Sequence, residues 1–581
     1  MGVAYSFSRI GDLVMTNSNI ESTGIPSTLR DECRILFEQF KELTNPDRLR
    51  GFVSVAELKL VAKCIPPSGE IEYDIFIKDL LIVKWAPLKP AMFDLLDELA
   101  RRYQDEKRAK DCSQLKEKIR EALLKSEKPE RDYQHLVEIS GASEAGDGEG
   151  RAAQWVAEAG DDLDERVLRI TLAVFHGTTF ETIERAKNDL LEALRELVPP
   201  PPSPAPEVPP PPPAPHVPLM QRIKKAGAYE TDGEPPDWKK VIELKEPELA
   251  SEALVHMWEL YRETKWRQKL IGWLTSYASS RPADVRTRAA VAAGILAVKD
   301  YRFVRENLLD LWVKGDDAKY RTAIGMALGV LVREEAWAAE VQSLLRKWSQ
   351  SPDHAERWAA LRAYIYVGAY CQPVSEVIAR WRAIAASEYA AVLIQISEDK
   401  ALQLNNPLHM SLMDAMVRFF GSVAQMPEEK KRPLFAGILE GLKIWIKDAK
   451  ADAGLGLFMF TTLGRLIVGG EGESDGAPVL LQLVSDEAPE DKTGYRSQLA
   501  GMFEVVMFNG ATIMEARELL SAWLGWADEL KDSPQAYESR LRALFEEIIA
   551  TDKGGRARGK LAACLRACGR NRTAQHLLST L

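Results

Sequence analysis

The segment that most resembles a chemical motif lies near the end of the chain. Gly554, Gly559 and Lys560 have the glycine and lysine spacing of a phosphate-binding loop. In such a loop backbone amides cradle the phosphates, and a Ser or Thr after the lysine holds magnesium. Leu561 occupies that position here, and residues 541–550 have a helical rather than a strand pattern. We interpret this segment as a charged connection between helices.

Metal and nucleophile patterns are equally incomplete. Cys564 and Cys568 lie four residues apart on one helix face, which is half of a metal site, but only His576 is near and no second cysteine pair exists. We predict that both cysteines are small core residues. No HExxH, GxSxG, DxDxDG or CxxC pattern occurs, so we expect no metal, no cofactor and no enzyme. A triad whose members meet only in the fold stays open.

Residues 164–197 have the pattern of a helix, a tight turn and a second helix. Residues 164–175 form the first helix, His176 and Gly177 end it, and Thr178 with Glu181 suggests a capping box for the second. Such a unit can read DNA. The second helix, however, carries an acidic surface, which phosphate would repel: Glu181, Glu184, Asp189, Glu192 and Glu196. We favour a structural or dimerisation unit and keep a transcriptional regulator, acting through residues 160–198, as an alternative.

Proline and charge divide the chain. Thirteen of its 32 prolines lie in residues 199–218, where an extended, semi-rigid polyproline spacer is expected. Residues 1–198 contain 28 Lys and Arg against 37 Asp and Glu, whereas residues 219–581 contain 48 of each. This balance disfavours general nucleic-acid binding. We expect two separately folding parts joined by the spacer, whose PxxP spacings could also serve a proline-recognising domain.

The six cysteines are scattered, and no leader or membrane-spanning segment is recognised in the sequence. We therefore expect a cytoplasmic protein without membrane contact.

Several short helices are predicted before residue 130. The expected core of this bundle comprises Leu36, Phe37, Phe40, Leu80, Leu81, Pro90, Phe93 and Leu96. Residues 75–100, IFIKDLLIVKWAPLKPAMFDLLDELA, combine an apolar helix, a polar turn, a Lys-Pro-Ala step and a leucine-rich helix that begins at Pro90. This order resembles the effector-associated, death-fold-like adaptor domains of bacterial conflict systems. The resemblance implies docking to a like domain on an effector, and an unrelated helical bundle is the alternative.

An internal repeat is the strongest pattern in the chain. Three alanine-rich helices carry similarly placed arginines, 33 and 36 residues apart: Arg288, Arg321 and Arg357. In each copy a second helix ends in two aliphatic residues followed, three positions later, by a tryptophan. The same pattern occurs once more further along the chain. The tryptophans are Trp312, Trp348, Trp381 and, in the later copy, Trp523. A helix pair cannot bury its own apolar face, so pairs must stack. The pattern resembles HEAT-like α-solenoids, whose tryptophans we expect to be mainly core residues.

The sequence therefore predicts an all-α protein with five regions. These are a disordered tail (1–26), an effector-associated-like helical adaptor domain (27–130), a small helical unit (131–198), a proline-rich linker (199–236) and a HEAT-like α-solenoid (237–581). The leading hypothesis is a non-enzymatic adaptor in bacterial defence or signalling. It would join an effector with a like helical domain to a second protein on the solenoid, with nucleic acid an unlikely partner. The alternative is a regulated substrate or inhibitory partner of a protease, cut in loops such as 425–432 or 469–477.

Overall fold

The computed structural model describes most residues from 148 onward and separate residues before them. Described are 33, 36–37, 84–86, 89–90, 92, 95–96, 99, 110–116, 118–119, 133–138, 148–197, 217–233, 239–280, 282–315, 317–395, 407–424, 426–447, 456, 459–460, 463–464, 467–468, 477–484, 495–508, 513–529, 534–552, 555–568 and 571–580. Two compact units divide the chain: residues 124–370 form one, and residues 1–123 with 371–581 form the other.

The protein is all-α. Among the described residues, strands form only three short antiparallel pairs: β1 (Lys84–Ala86) with β2 (Lys89–Pro90), β3 (Ala228–Asp232) with β4 (Lys240–Leu244), and β5 (Ile467–Val468) with β6 (Ala477–Pro478). Pro90 therefore does not begin a helix as its sequence context suggested. It lies in β2 opposite Lys84, with an irregular register that suits a residue without a backbone donor.

Unit 124–370 contains three named helices before the proline run: α1 (Gly148–Ala157), α2 (Leu163–Phe175) and α3 (Phe180–Arg195). Asp162 caps α2, because its carboxylate accepts a hydrogen bond from the backbone N–H of Asp164 at 2.9 Å. The predicted cap of α3 is wrong by one residue. Thr179 accepts the hydrogen bond from the backbone of Thr182, whereas the Thr178 hydroxyl donates to the carbonyl of Phe175 at 2.7 Å.

Regular structure is present directly after the last proline of the run. Helix α4 (Leu219–Lys225) and strand β3 lie inside the range assigned to a linker, 199–236. Ile223 is fully buried, and the hairpin of β3 and β4 runs from the pair Ala228 and Leu244 to the pair Asp232 and Lys240. The extended spacer pattern of the sequence thus ends at Pro218, since the residues after it can donate backbone hydrogen bonds.

Side chains bind the two sides of the proline run to each other. Arg222 pairs with both Asp164 and Glu165, the two acidic residues in the first turn of α2. The Trp155 indole donates to the carbonyl of Ala226 at 2.8 Å. Residues 148–197 and 219–260 therefore share one compact unit, which differs from the expectation of two separately folding parts.

The repeat region of this unit consists of paired helices. In order these are α5 (Leu249–Leu260), α6 (Thr264–Ala278), α7 (Ala283–Lys299), α8 (Tyr301–Val304), a π-helical turn (Arg305–Leu309), α9 (Asp310–Lys314), α10 (Ala318–Leu331), α11 (Glu335–Ser349) and α12 (His354–Val367). Helices α7, α10 and α12 pack side by side in sequence order, and we call these three helices the alanine layer. The helices between them carry Trp312 and Trp348, both buried.

The repeat has a register that the sequence alone did not reveal. Arg321 and Arg357 each follow the helix N-cap by four residues, and the residue at that position of α7 is Arg286 rather than Arg288. Arg286 and Arg357 also make the same contact, since each donates to the main-chain oxygen six residues before it, at 2.8 and 2.7 Å. Arg288 therefore does not occupy the repeat position and lies two residues deeper in the helix.

The second unit is described mainly after residue 371. Its named helices are α13 (Ser375–Gln395), α14 (Pro407–Ala424), α15 (Glu428–Lys447), α16 (Val479–Leu483), α17 (Tyr495–Phe508), α18 (Ile513–Glu529), α19 (Pro534–Thr551), α20 (Ala557–Ala567) and α21 (Arg572–Thr580). Residues 428–432 belong to the start of α15, so most of the loop predicted at 425–432 is helical.

Candidate functional site

Small residues hold the alanine layer together. A Cβ atom added at Gly294 in α7 would lie 2.7 Å from the carbonyl oxygen of Ala327 in α10. One added at Gly325 in α10 would lie 3.0 Å from the Cα of Ala363 in α12. Such approach is possible only without side chains, and it makes the three helices one continuous surface.

A segment from before the proline run lies on this layer. Residues 133–138 are helical, and Tyr133 is almost completely buried. Its hydroxyl donates to the carbonyl oxygen of Met326 at 3.3 Å, and its ring meets the ring of Tyr366 edge-on with centroids 4.8 Å apart. The seat exists because Gly329 has no side chain: a Cβ there would be 2.2 Å from the Tyr133 hydroxyl. We call the surface beneath residues 133–138 the groove.

Two further contacts hold the segment on the groove. Arg333, just after α10, donates to the side-chain oxygen of Gln134 at 3.1 Å. Leu136 and Val137 are buried, and Leu136 lines a cavity of about 30 Å³ together with Ala173 of α2 and Val291 of α7. The segment thus contacts α10 and α12 through Tyr133, and its Leu136 lines the same cavity as α7.

A polar cluster lies at the Leu136 end. His176, which ends α2, lies with its Nδ1 atom 3.5 Å from a carboxylate oxygen of Glu243 in β4, and both His176 and Arg288 line the cavity. Gly177 has φ +76° and lies directly over the Arg288 guanidinium, where a Cβ would be 1.9 Å from Nη2. The cluster therefore joins the α2 turn, β4 and α7 at one point.

The surroundings shift the pKa values of this cluster. Burial lowers the pKa of His176 below its ordinary value, and Arg288 acts in the same direction, while the hydrogen bond to Glu243 opposes both. Burial alone would raise the pKa of Glu243, but the hydrogen bond to His176 and the charge of Arg288 outweigh it and leave that pKa lowered. The cavity has room for about two water molecules, too little for an organic substrate. We interpret the cluster as a structural clamp.

The predicted site residues comprise the repeat residues and the expected adaptor core. The four repeat tryptophans are each 3% exposed or less: Trp312, Trp348, Trp381 and Trp523. Arg357 bonds the loop before α12, the Arg321 guanidinium lies 5.9 Å from the ring centre of Trp358, and Arg288 belongs to the clamp. Of the expected adaptor core, Leu36, Phe37 and Leu96 are buried and Pro90 is in β2. Phe40, Leu80, Leu81 and Phe93 lie outside the described residues.

The motifs that resembled chemistry serve the fold. The Asp552 carboxylate accepts from the backbone N–H of Ala557 at 2.5 Å, so the start of α20 already holds an anion where a phosphate would bind. Lys560 donates to the carbonyl of Met507 at 2.7 Å. Cys564 is buried, and the Cys568 thiol contacts the carbonyl of Cys564. Among the described side chains, no group of three His, Cys, Asp or Glu could hold a metal ion.

Sequence reasoning missed the groove. Its only local signal was the row of glycines 294, 325 and 329 inside otherwise strong helix formers, which indicates close approach of another backbone or ring. Nothing near Tyr133 in the sequence points to α10.

Comparison with known proteins adds little. No protein-family model matches the sequence, and neither does any curated protein. Among solved structures, an engineered protein is 12% identical with a TM-score of 0.21, covering 77% of this chain and 97% of its own. UNC-45 from Drosophila melanogaster is 11% identical with a TM-score of 0.20, covering 96% of this chain and 75% of its own. Scores this low carry no argument, so the assignment as an all-α helical-repeat protein rests on the helices themselves.

None of the helices in the described part of the chain has the length and apolar character needed to cross a membrane. A helical-repeat fold of this kind is typical of scaffolds that bind other proteins.

Proposed function

We propose that this protein is an interaction scaffold whose alanine layer binds a short helical segment of a partner protein in the groove. The observation that carries the proposal is the seat of Tyr133, formed by Tyr366, the Met326 carbonyl and the open space at Gly329. Tyrosine is among the side chains that supply most of the binding energy when they fill a desolvated pocket. The chain's own segment 133–138 thus defines the kind of ligand that fits.

The spacing within that segment specifies the ligand further. Leu136 and Val137 follow Tyr133 by three and four residues, so the three side chains share one face of a helical turn, and all three are buried. Helix-in-groove recognition uses anchors at this spacing. The expected partner segment has an aromatic residue followed at three and four positions by aliphatic residues. It must displace residues 133–138. Its apparent affinity is therefore its intrinsic affinity multiplied by the fraction of molecules in which the groove is open.

The adaptor hypothesis extends this proposal. Residues 27–130, expected to dock an effector, end just before residues 133–138, so one partner on the amino-terminal domain and another in the groove would act on adjacent stretches of chain. Both the effector and a setting in bacterial defence rest on the spacing resemblance of residues 75–100 alone. They remain predictions.

The two rival hypotheses receive less support. Of the two loops predicted to be cut, residues 428–432 lie within helix α15, whereas exposed loops are the preferred sites of cleavage, and residues 469–476 lie outside the described residues. DNA reading by α3 conflicts with its contacts to α6. Trp273 donates to the carbonyl of Ala186 at 2.9 Å, and Tyr277 donates to the Asp189 carboxylate at 2.6 Å.

Selection from a displayed peptide library tests the function. The bait is the full chain carrying Tyr133→Ala, which vacates the seat, and the control bait is the same chain with Gly329→Leu added, which fills it. We expect enrichment of peptides with an aromatic residue three positions before an aliphatic one, on the first bait only. If both baits enrich the same peptides, or neither enriches that pattern while both keep their helical content, the proposal is wrong.

A further inference from the structure

The final part of the chain has a charge unlike the rest. Residues 553–581 contain seven Lys and Arg and no Asp or Glu, in a protein of net charge −10. The seven are Lys553, Arg556, Arg558, Lys560, Arg566, Arg570 and Arg572. The net charge of residues 219–581 as a whole is zero, so that value does not show the positive charge of this segment.

Helix α20 displays much of this charge on its surface. Its buried side chains are Ala557, Leu561, Cys564 and Leu565. On the opposite side Gly559, Ala563, Arg566 and Ala567 are exposed, and Arg556 and Arg558 are exposed where the helix begins. Neither Arg558 nor Arg566 forms an ion pair with any described residue. We call this exposed side of α20, with its arginines, the arginine face.

We propose that the arginine face binds the phosphate backbone of a nucleic acid without reading its sequence. Arginine presents a planar fork of donors that matches phosphate oxygens. The Gly and Ala positions between the arginines leave room for a sugar–phosphate backbone to approach closely. Arg558 and Arg566 are eight residues apart, about 12 Å along the helix axis, or about three to four base steps of one strand.

The composition of the face favours nucleic acid over an acidic protein. Protein interfaces depend on buried aromatic and large aliphatic anchors. Among the described residues of α20 and α21, no large apolar side chain is exposed. An anionic membrane is also disfavoured, because an interfacial helix must insert an apolar face and that of α20 is buried in the protein.

Contacts of this kind differ from the phosphate cradle that the glycines first suggested. Asp552 occupies the start of α20, and Lys560 is directed to the Met507 carbonyl, so a single phosphate at the helix end is not bound. Binding instead sums several exposed arginine contacts and must weaken with salt, because each contact releases a condensed counterion.

Fluorescence anisotropy with labelled single-stranded and duplex oligonucleotides, titrated with the full chain at several salt concentrations, tests the proposal. The variant is Arg558→Gln with Arg566→Gln, and the control is Lys224→Gln with Lys225→Gln, two exposed lysines of α4 with the same charge change. We expect salt-dependent binding by the wild type and the control. In the variant, the negative slope of log affinity against log salt should become shallower by about two for duplex DNA.

Three outcomes would overturn the proposal. The first is no binding by the wild type at low salt, and the second is equal loss in the variant and the control. The third is competition by polyglutamate or anionic vesicles at the same charge concentration as the oligonucleotide, which would assign the face to an acidic protein or a membrane.

Discussion

The hydroxyl of Tyr133 donates to the main-chain oxygen of Met326 at 3.3 Å, across 193 positions of sequence. The two residues lie on opposite sides of the proline run in the sequence, and the contact joins those two sides within one compact unit. This contact makes residues 133–138 part of the repeat surface. The alanine layer therefore packs the repeat helices together and also binds a short segment of the same chain.

Removing the ring should release the segment. We expect Tyr133→Ala to speed hydrogen exchange of residues 133–138 strongly while the amides of α7 and α10 keep their protection. Tyr133→Phe should cost only about 1 kcal/mol, since it loses one hydrogen bond and keeps the ring. Hydrogen-exchange mass spectrometry of both variants measures the difference. Equal exchange of residues 133–138 in wild type and Tyr133→Ala would show that the ring does not hold them.

The turn at Gly177 should not tolerate a side chain. Gly177→Ala forces an L residue into left-handed backbone, at a cost of about 1–2 kcal/mol, and must also displace Arg288. Gly272→Ala is the matched control, because that glycine is exposed within α6 and a Cβ there meets nothing within 4 Å. Urea unfolding should show loss of stability for the first and a gain of up to about 1 kcal/mol for the second. The reverse order would contradict the clamp.

Neighbouring residues of α9 should differ greatly. Trp312 is 1% exposed and its indole donates to Thr275 at 3.2 Å, whereas Leu311 is 57% exposed. We expect Trp312→Ala to cost about 3–5 kcal/mol and Leu311→Ala to change stability by less than about 0.5 kcal/mol. Denaturant unfolding of both variants measures the two changes in the free energy of unfolding. A large effect at Leu311 would mean that its side chain packs on something outside the described residues.

Acid should weaken the clamp. The pKa of His176 is lower in the folded than in the unfolded chain, so the unfolded chain takes up the proton first as the pH falls. The stabilisation is therefore fully present above the ordinary histidine pKa of 6.5 and is lost as the pH falls below it. Glu243 adds a second loss below its ordinary pKa of 4.5, because its pKa is also lowered.

The pH dependence of unfolding between pH 7 and pH 5 measures this effect. We expect a flatter profile for His176→Gln than for wild type, and an unchanged profile for His256→Gln, whose ring lies outside the cluster. If His176→Gln follows the wild-type profile, His176 does not titrate with folding.

The periodicity of the sequence predicted those features that depend on residues close together in the chain. The helix pairs, the buried tryptophans and the helix–turn–helix at 163–195 follow from patterns within one or two turns of chain. The repeat arginine at Arg286 was missed because Arg288 lies beside a run of alanines that resembles the later copies more closely. The end of the linker was placed too late because the residues after Pro218 acquire structure through α2, which is distant in sequence. The groove was invisible because Tyr133 and Gly329 meet only after the layer has formed.

Direct binding of the chain's own segment tests the central claim most closely. A labelled peptide of residues 131–140 is titrated into the full chain carrying Tyr133→Ala and into wild type, with the peptide carrying Tyr133→Ala as control. We expect saturable binding of the native peptide to the variant, much weaker binding to wild type, whose groove is filled, and no binding of the control peptide. Failure of the native peptide to bind the folded variant, or equal binding of the two peptides, would contradict it.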